Sequence, residues 1–163
     1  MVMRAVFPPD HKGSNFGMVM KRLFVHSIHS GCPIIPMEAD MPDRSMSALQ
    51  YDVILPESID ILLFSIGDDR HIVSIFPGSA VLDEVSRKVL FFSCLKPPSE
   101  RLTITPLVIT KAVSVIVLAS GVVNARVLAQ LMQYEEAAAF WLAALVMNAA
   151  RLLYPELQNL VFE

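Results

Sequence analysis

Short hydrophobic segments recur along this chain, and the spacing of their apolar residues separates helices from strands. Apolar residues three and four positions apart predict an amphipathic helix over 15–25, with Ser14 as its N-cap. Unbroken or β-branched apolar runs predict strands over 59–66, 89–95 and 113–119. Because the first run shows no alternation with polar residues, we expect that strand to be buried on both faces and central in a parallel sheet.

Helix signals separate and follow these strands. The pair Thr105-Pro106 predicts a helix start, because proline at the first helical position loses no hydrogen bond. A second apolar stripe predicts a surface-packed helix over 123–132, whereas three prolines exclude a long helix from 31–44. The alternation of strands and helices predicts a layered α/β fold with a mostly parallel sheet and flanking helices.

The length and the apolar composition limit the domain count and the degree of burial. At 163 residues the chain suits a single domain, which we place over 1–163. Hydrophobic residues make up 54% of the chain and charged residues 18%, so most elements should be buried on more than one face. The longest charge-free apolar stretches, 112–125 and 137–150, are shorter than the roughly 20 residues that span a bilayer, which predicts no membrane partner.

Charge, cysteine and histidine usage exclude several other classes of protein. A formal net charge of −3 with dispersed lysines and arginines predicts no nucleic-acid partner and favours small-molecule chemistry. Two cysteines without CxxC spacing, and no signal-peptide pattern, indicate the cytoplasm. Neither cysteines nor carboxylates are spaced to make metal ligands of His11, His26 and His29, so no metal site is predicted.

The candidate site follows the first predicted strand, where Gly67 is succeeded by a polar cluster. Ligands of open α/β sheets bind beyond the carboxyl ends of the strands, so chemistry is expected there. Asp69 and His71 are two positions apart, and a carboxylate beside an imidazole can orient the ring and raise its basicity for general base catalysis. The same spacing also occurs in solvated turns, so the spacing alone leaves both interpretations open.

Three segments resemble the 6-phosphogluconolactonases, a family within the glucosamine-6-phosphate isomerase/6-phosphogluconolactonase superfamily. Residues 62–78, LLFSIGDDRHIVSIFPG, are similar to the family pattern LLGMGxDGHTASLFPG. Residues 96–106, KPPSERLTITP, are similar to KPPxxRLTLTP, and residues 4–18 are similar to DERxVPPDHPDSNYGM. Three motifs in the same order are much more specific than any one of them.

The resemblance implies hydrolysis of 6-phosphogluconolactone to 6-phosphogluconate in the pentose phosphate pathway, with a phosphorylated sugar lactone as partner and no cofactor. Asp69 and His71 take the positions of the aspartate and histidine that activate water. The implied substrate-binding residues are Arg4, Arg101, Gly67 and Ser74. Two of these assignments stay open, because Arg4 can equally be a solvated side chain and Arg101 can hold its own loop instead of the phosphate.

The positions at which this sequence departs from the family pattern are ones that the family uses to bind phosphate. In the family a strand, a Gly-Gly-Ser loop and a helix precede the DER segment and hold the phosphate, and here they would lie before Met1. Val2 and Met3 take the positions of the two acids, and Asn124 that of a frequent lysine. We therefore expect a Rossmann-like fold without its usual first strand–helix unit, in which an uncovered apolar surface leaves self-association open. We expect hydrolysis to be slow or absent.

Two alternative functions remain beside the lactonase. An inactive paralogue would keep the sheet and bind sugar phosphates weakly or not at all. A glucosamine-6-phosphate deaminase would share the Asp-x-His spacing, but Phe76 takes the position of the deaminase glutamate and cannot carry a proton. For the lactonase, we expect Asp69 and His71 to lie within hydrogen-bond reach of one another, directly or through one water, at the rim of a cleft beyond the first predicted strand.

Overall fold

The computed structural model describes residues 4–5, 7–25, 33–67, 69, 71–76, 78–118 and 121. The chain divides into two compact units. The antiparallel unit comprises Met1–Leu55 and Val89–Ile104, and the parallel unit comprises Pro56–Lys88 and Thr105–Glu163. The single domain over 1–163 stays a prediction, and the helix predicted over 123–132 lies outside the described residues.

The described part of the chain contains five strands, three α-helices and two short helical turns. The strands are β1 (Arg4–Ala5), β2 (Ile61–Ser65), β3 (Val89–Ser93), β4 (Glu100–Ile104) and β5 (Ser114–Leu118). The α-helices are α1 (Asn15–Val19), α2 (Arg44–Ile54) and α3 (Pro106–Lys111), with a π-helical turn over Met20–Phe24 and a 3₁₀ turn over Ala80–Asp83. A parallel strand pair and accompanying helices confirm the α/β fold class.

The antiparallel unit contains a sheet in the order β1-β4-β3. Strands β3 and β4 pair from Val89 opposite Ile104 to Ser93 opposite Glu100. Helix α2 packs against β3, and the Asp52 carboxylate at the end of this helix accepts a 2.8 Å hydrogen bond from the Val89 N–H. This bond satisfies a backbone donor at the start of the strand and ties the helix to the sheet.

The predicted first helix is present, although its apolar side chains are not buried. Ser14 is its N-cap, and the hydroxyl accepts a 3.0 Å hydrogen bond from the Gly17 N–H, as the sequence predicts. Gly17 is the buried residue of α1, whereas Met18 is 55% and Leu23 60% exposed. A Cβ at Gly17 would lie 2.1 Å from the Pro9 carbonyl oxygen, so only glycine permits this close backbone approach.

In the parallel unit β2 and β5 pair in parallel, from Ile61 opposite Ser114 to Ser65 opposite Leu118. The strands predicted over 59–66 and 113–119 are present as β2 and β5 and pair in parallel as predicted. The strand predicted over 89–95 is present as β3, but it pairs antiparallel with β4, and the predicted burial of β2 on both faces is wrong. Its residues alternate between exposed and buried, with Ile61 63% and Leu63 54% exposed. An unbroken apolar run hides this alternation, because both faces carry similar side chains. The central position of β2 stays a prediction.

Helix α3 begins where the sequence predicts. Pro106 is its first residue, and Thr105 takes the N-cap position with extended backbone. The Thr105 hydroxyl donates a 2.6 Å hydrogen bond to the Arg87 carbonyl, and its N–H donates to the Lys88 carbonyl at 2.9 Å. These two bonds join the start of α3 to the segment before β3.

No sequence pattern indicates β1, β4, α2 or the antiparallel pairing of the predicted strand β3. Strand β4 has the sequence ERLTI, in which charged and polar residues dilute the apolar signal. Helix α2 carries few strongly apolar residues, although Asp43 gives a usable N-cap signal and accepts a hydrogen bond from Met46 N–H. The β3–β4 hairpin is local, since Ser93 pairs with Glu100, but the weak apolar signal of β4 hides it, whereas the pairing of β1 with β4 joins segments far apart in the chain.

We expect Leu102→Ala to lower the free energy of unfolding by about 2–5 kcal/mol, because Leu102 is fully buried in β4 and its truncation leaves a cavity. The matched control is Leu95→Ala, the same change at a residue that is fully solvent-exposed, which should alter stability by less than about 0.5 kcal/mol. Urea denaturation measures both. Equal effects of the two substitutions would contradict the position of β4 in the core.

The turn before β3 depends on an ionised carboxylate. Glu84 accepts hydrogen bonds from the Ser86 hydroxyl (2.6 Å), the Ser86 N–H (2.7 Å) and the Arg87 N–H (3.0 Å). These bonds, the Ser86 hydroxyl first, lower the pKa of Glu84 from 4.5 to about 2. Because the folded pKa lies below the unfolded value, the stabilisation is present above about pH 4.5 and is lost as the pH falls towards 2.

We therefore expect Glu84→Gln to lower the free energy of unfolding at neutral pH by a small amount, since the turn is largely exposed to solvent. The difference between parent and variant should shrink as the pH falls from about 4.5 towards 2. Urea denaturation across that range measures it. A difference that stays constant with pH would show that the Glu84 charge contributes nothing to the fold.

Candidate active site

The candidate site begins where β2 ends. The backbone bridges of Ile66 with Ile72, and of Ile72 with Ile75, fold the following segment back on itself. Ile72 and Ile75 exchange two hydrogen bonds, N–H to carbonyl, of 3.2 and 2.9 Å. Both side chains are 1% exposed, so the loop is anchored in the core at two points. The Gly67 N–H donates a 2.9 Å bond to the His71 carbonyl and closes the polar part of the loop.

Asp69 and His71 contact one another within this loop, as the sequence predicts. The Asp69 Oδ1 accepts a hydrogen bond from His71 Nδ1. This contact favours the tautomer with the proton on Nδ1, which leaves Nε2 with a free lone pair. The His71 side chain is 25% exposed and the Asp69 side chain 34%, so solvent or a ligand can reach the pair. The arrangement is that of a carboxylate-oriented general base.

Gly67 provides the space that the imidazole occupies. A Cβ on Gly67 would lie 2.3 Å from both His71 Cε1 and Nδ1, and 2.7 Å from the Asp69 carboxylate. Any side chain there would displace the ring. Sequence analysis assigns Gly67 to substrate binding, which stays a prediction, and misses this steric role because the contact forms only when the loop closes.

The two residues of the tight turn differ in what they contribute. Val73 has a φ of +57°, a left-handed conformation that is strained for a β-branched residue. Ser74, predicted to bind substrate, is 2% exposed, and that role stays a prediction.

Phe76, which the sequence marks only as a residue unable to carry a proton, stacks on His71 with ring centroids 5.0 Å apart. Asp68, Arg70 and Pro77 lie outside the described residues.

The two arginines predicted to bind phosphate belong to the antiparallel unit, whereas Asp69 and His71 belong to the parallel unit. Arg4 lies in β1 opposite Leu102. Arg101 lies in β4, and its Nη2 donates a 3.5 Å hydrogen bond to the Lys96 carbonyl. This long bond supports the alternative in which Arg101 holds its own loop. Phosphate binding by either arginine stays a prediction, and Asn124 lies outside the described residues.

An open cavity of about 470 Å³ lies in the antiparallel unit. It is lined by Pro42, Asp43, Arg44, Ser45, Phe91 and Glu100. Arg44 Nη1 lies 3.4 Å from both carboxylate oxygens of Glu100. Neighbouring residues of a strand face opposite sides, so Glu100 and the cavity lie on the other face of the sheet from Arg101. No pattern in the sequence predicts this cavity.

Within the residues that the structure describes, no group of three or more histidine, cysteine, aspartate or glutamate residues could hold a metal ion. None of the helices described is long and apolar enough to cross a membrane.

Comparison with known proteins assigns the family. The sequence model of the family "Glucosamine-6-phosphate isomerases/6-phosphogluconolactonase" matches residues 4–154. This chain belongs to that family. The match includes all three motifs found in the sequence and the loop that carries Asp69 and His71.

Individual relatives agree with this assignment. The chain is 30% identical to the 6-phosphogluconolactonase of Rattus norvegicus over 141 residues, which cover 80% of this chain and 54% of the relative. It is 30% identical to that of Homo sapiens over 139 residues, covering 79% and 53%. The solved 6-phosphogluconolactonase from Trypanosoma brucei superposes with a TM-score of 0.74 at 25% identity, covering 91% of this chain and 66% of that one. The chain thus spans about half the length of the curated relatives it matches.

We expect Gly67→Ala to break the contact between His71 and Asp69, because the new methyl group would occupy the space of the imidazole. Such overpacking should also cost about 1–3 kcal/mol of stability. Nitrogen NMR of the His71 ring measures its tautomer and hence the contact, and thermal unfolding measures the stability.

Gly78→Ala is the matched control for that substitution. Gly78 has a φ of +74° and nothing within 4 Å of an added Cβ, so the change introduces strain of about 1–2 kcal/mol without a clash. The contact between His71 and Asp69 should persist in this control. A Gly67→Ala protein whose His71 spectrum matches the parent would contradict the steric role of Gly67.

Proposed function

We propose that this chain hydrolyses 6-phosphogluconolactone to 6-phosphogluconate. The observation that carries the proposal is the contact between Asp69 and His71 at the end of β2. Membership of the family and the 6-phosphogluconolactonases among its relatives support the substrate class. Those relatives are named 6-phosphogluconolactonase, and the proposal assigns that reaction to this chain.

The first chemical step requires a base for water. Asp69 holds the proton of His71 on Nδ1, so Nε2 accepts a proton from a water molecule. The oxygen of that water forms a bond to the lactone carbonyl carbon, and the carbonyl π electrons move onto its oxygen. The imidazolium formed on His71 is stabilised by the neighbouring Asp69 carboxylate.

The second step opens the ring. The tetrahedral intermediate re-forms its carbonyl and breaks the bond between the carbonyl carbon and the ring oxygen. The ring oxygen leaves as an alkoxide and takes the proton from His71 Nε2, which returns the imidazole to its neutral form. The reaction consumes one water and needs no cofactor, and the base contributes about 10²–10⁴-fold.

Substrate binding is proposed for four residues. Arg4 and Arg101 supply cations for the phosphate, and Gly67 and Ser74 border the loop that carries the base. Charge-assisted hydrogen bonds are the strongest contacts available to a phosphate dianion, so the arginines dominate this part of the proposal. The slow turnover that the sequence predicts, from the departures at phosphate-binding positions, stays a prediction.

The biological setting is part of the proposal. A phosphorylated sugar lactone is the proposed partner, the cytoplasm is the proposed location, and neither nucleic acid nor a membrane is a proposed partner. The dispersed charge and the net charge of −3 support this setting. Self-association stays open.

We expect hydrolysis of freshly prepared lactone to exceed the spontaneous rate, and His71→Ala to lower kcat by about 10²–10⁴-fold towards that rate. Asp69→Asn should lower kcat with little change in KM, because Asp69 orients the base without binding substrate. Proton release in weakly buffered solution measures all rates.

His11→Ala is the matched control, since His11 stacks on Phe7 in the antiparallel unit and has no proposed role. Its kcat should stay within about twofold of the parent. Turnover that does not exceed the spontaneous rate would overturn the proposal and favour the inactive alternative. Turnover that survives His71→Ala would assign the base to another group.

A further inference from the structure

The hydrogen bond to Asp69 fixes one atom of the His71 ring but not the plane of the ring. An imidazole held at Nδ1 alone can still tilt about that contact, and Nε2 then sweeps through an arc. General base catalysis requires the accepting nitrogen to be directed at one water position. A second contact, on the face of the ring, is needed to fix that direction.

Phe76 supplies a contact on the ring face. The centroids of the Phe76 and His71 rings are 5.0 Å apart and their planes differ by 29°. This is a tilted stack within the range of favourable aromatic pairs. The stack blocks rotation of the imidazole towards Phe76 while leaving the ring edge, with Nε2, unobstructed by the stacking partner.

The tight turn explains why these two rings meet. Ile72 and Ile75 are paired through the backbone, so the residues that flank them, His71 and Phe76, become neighbours across the same ladder. Side chains alternate along extended backbone, so the two rings lie on the side opposite the buried isoleucines. Burial supports this geometry, because both isoleucines are 1% exposed whereas the two rings are partly exposed.

We propose that Phe76 is a positioning residue, which holds the plane of the His71 imidazole so that Nδ1 stays on Asp69 and Nε2 faces the reacting water. The inference rests on the proposed lactonase function for its kinetic consequence, but its structural consequence is independent of that function. Phe76 acts through His71 and carries no proton itself.

The test compares Phe76→Leu, which keeps apolar volume but removes the ring, with Phe76→Tyr, which keeps the ring. We expect Phe76→Leu to lower kcat about 3- to 10-fold while its KM stays within about twofold of the parent value. We expect Phe76→Tyr to keep the kcat of the parent. Phe91→Leu in the antiparallel unit is the control for loss of an aromatic ring outside the candidate site, and its kcat should match the parent.

The second readout does not depend on turnover. In protein with ¹⁵N-labelled histidine, His71 is identified as the signal missing from His71→Ala, and its nitrogen shifts report the fraction of the tautomer with the proton on Nδ1. We expect this fraction to fall in Phe76→Leu and to persist in Phe76→Tyr and Phe91→Leu. Thermal unfolding shows that each variant is folded when measured.

The outcomes separate the two proposals. A parent protein without turnover, whose tautomer fraction nevertheless falls in Phe76→Leu, would overturn the lactonase and support the positioning role. If the parent protein hydrolyses the lactone, and Phe76→Leu changes neither kcat nor the tautomer fraction of His71, the positioning role would be overturned and the proposed lactonase function would stand. Loss of kcat in both Phe76→Leu and Phe76→Tyr, with the tautomer unchanged, would show that the ring does not act through His71.

Discussion

The candidate site depends on one tight turn, in which Ile72 and Ile75 pair through two backbone hydrogen bonds and bury their side chains. Burial of the two isoleucine side chains stabilises the turn by several kcal/mol in order of magnitude. The polar loop between β2 and this turn is therefore held at both ends by the core. The position of His71 depends on this hydrophobic anchoring as well as on its own hydrogen bond.

The buried isoleucines flank a residue with a strained backbone conformation. Val73 occupies a left-handed backbone conformation that β-branched residues avoid, directly between the two buried isoleucines. Such conformations persist where the surrounding structure over-determines them, often next to functional groups. Gly67 shows the complementary constraint, since the imidazole occupies the volume that a side chain would fill. The conformation of the loop thus depends on the two buried isoleucines and on the lack of a side chain at Gly67.

The chemistry proposed for the chain is distributed over its two compact units. The proposed general base, His71, and Asp69, which contacts it, belong to the parallel unit, at the carboxyl end of β2, where ligands of α/β sheets commonly bind. The proposed phosphate cations belong to the antiparallel unit, and one of them, Arg101, is already engaged with the Lys96 carbonyl. Proton transfer is therefore the part of the proposed reaction with the most direct structural support, and phosphate binding is the part with the least.

The sequence by itself determined the family, the α/β class, the helix starts at Ser14 and Pro106, and the contact between Asp69 and His71. The class and the helix starts depend on local signals such as caps and apolar runs, and the family and the contact of Asp69 with His71 depend on the three motifs that resemble the family. Tertiary structure decided what no local signal indicates, including the antiparallel pairing of the sheet, the exposed face of β2 and the stack of Phe76 on His71. An apolar run has the same sequence pattern whether one or both faces of the strand are buried. The steric role of a loop glycine depends on the ring that packs over it, and the sequence does not show that packing. Local pattern thus identified the groups that are proposed to react, whereas three-dimensional packing decided how they are held.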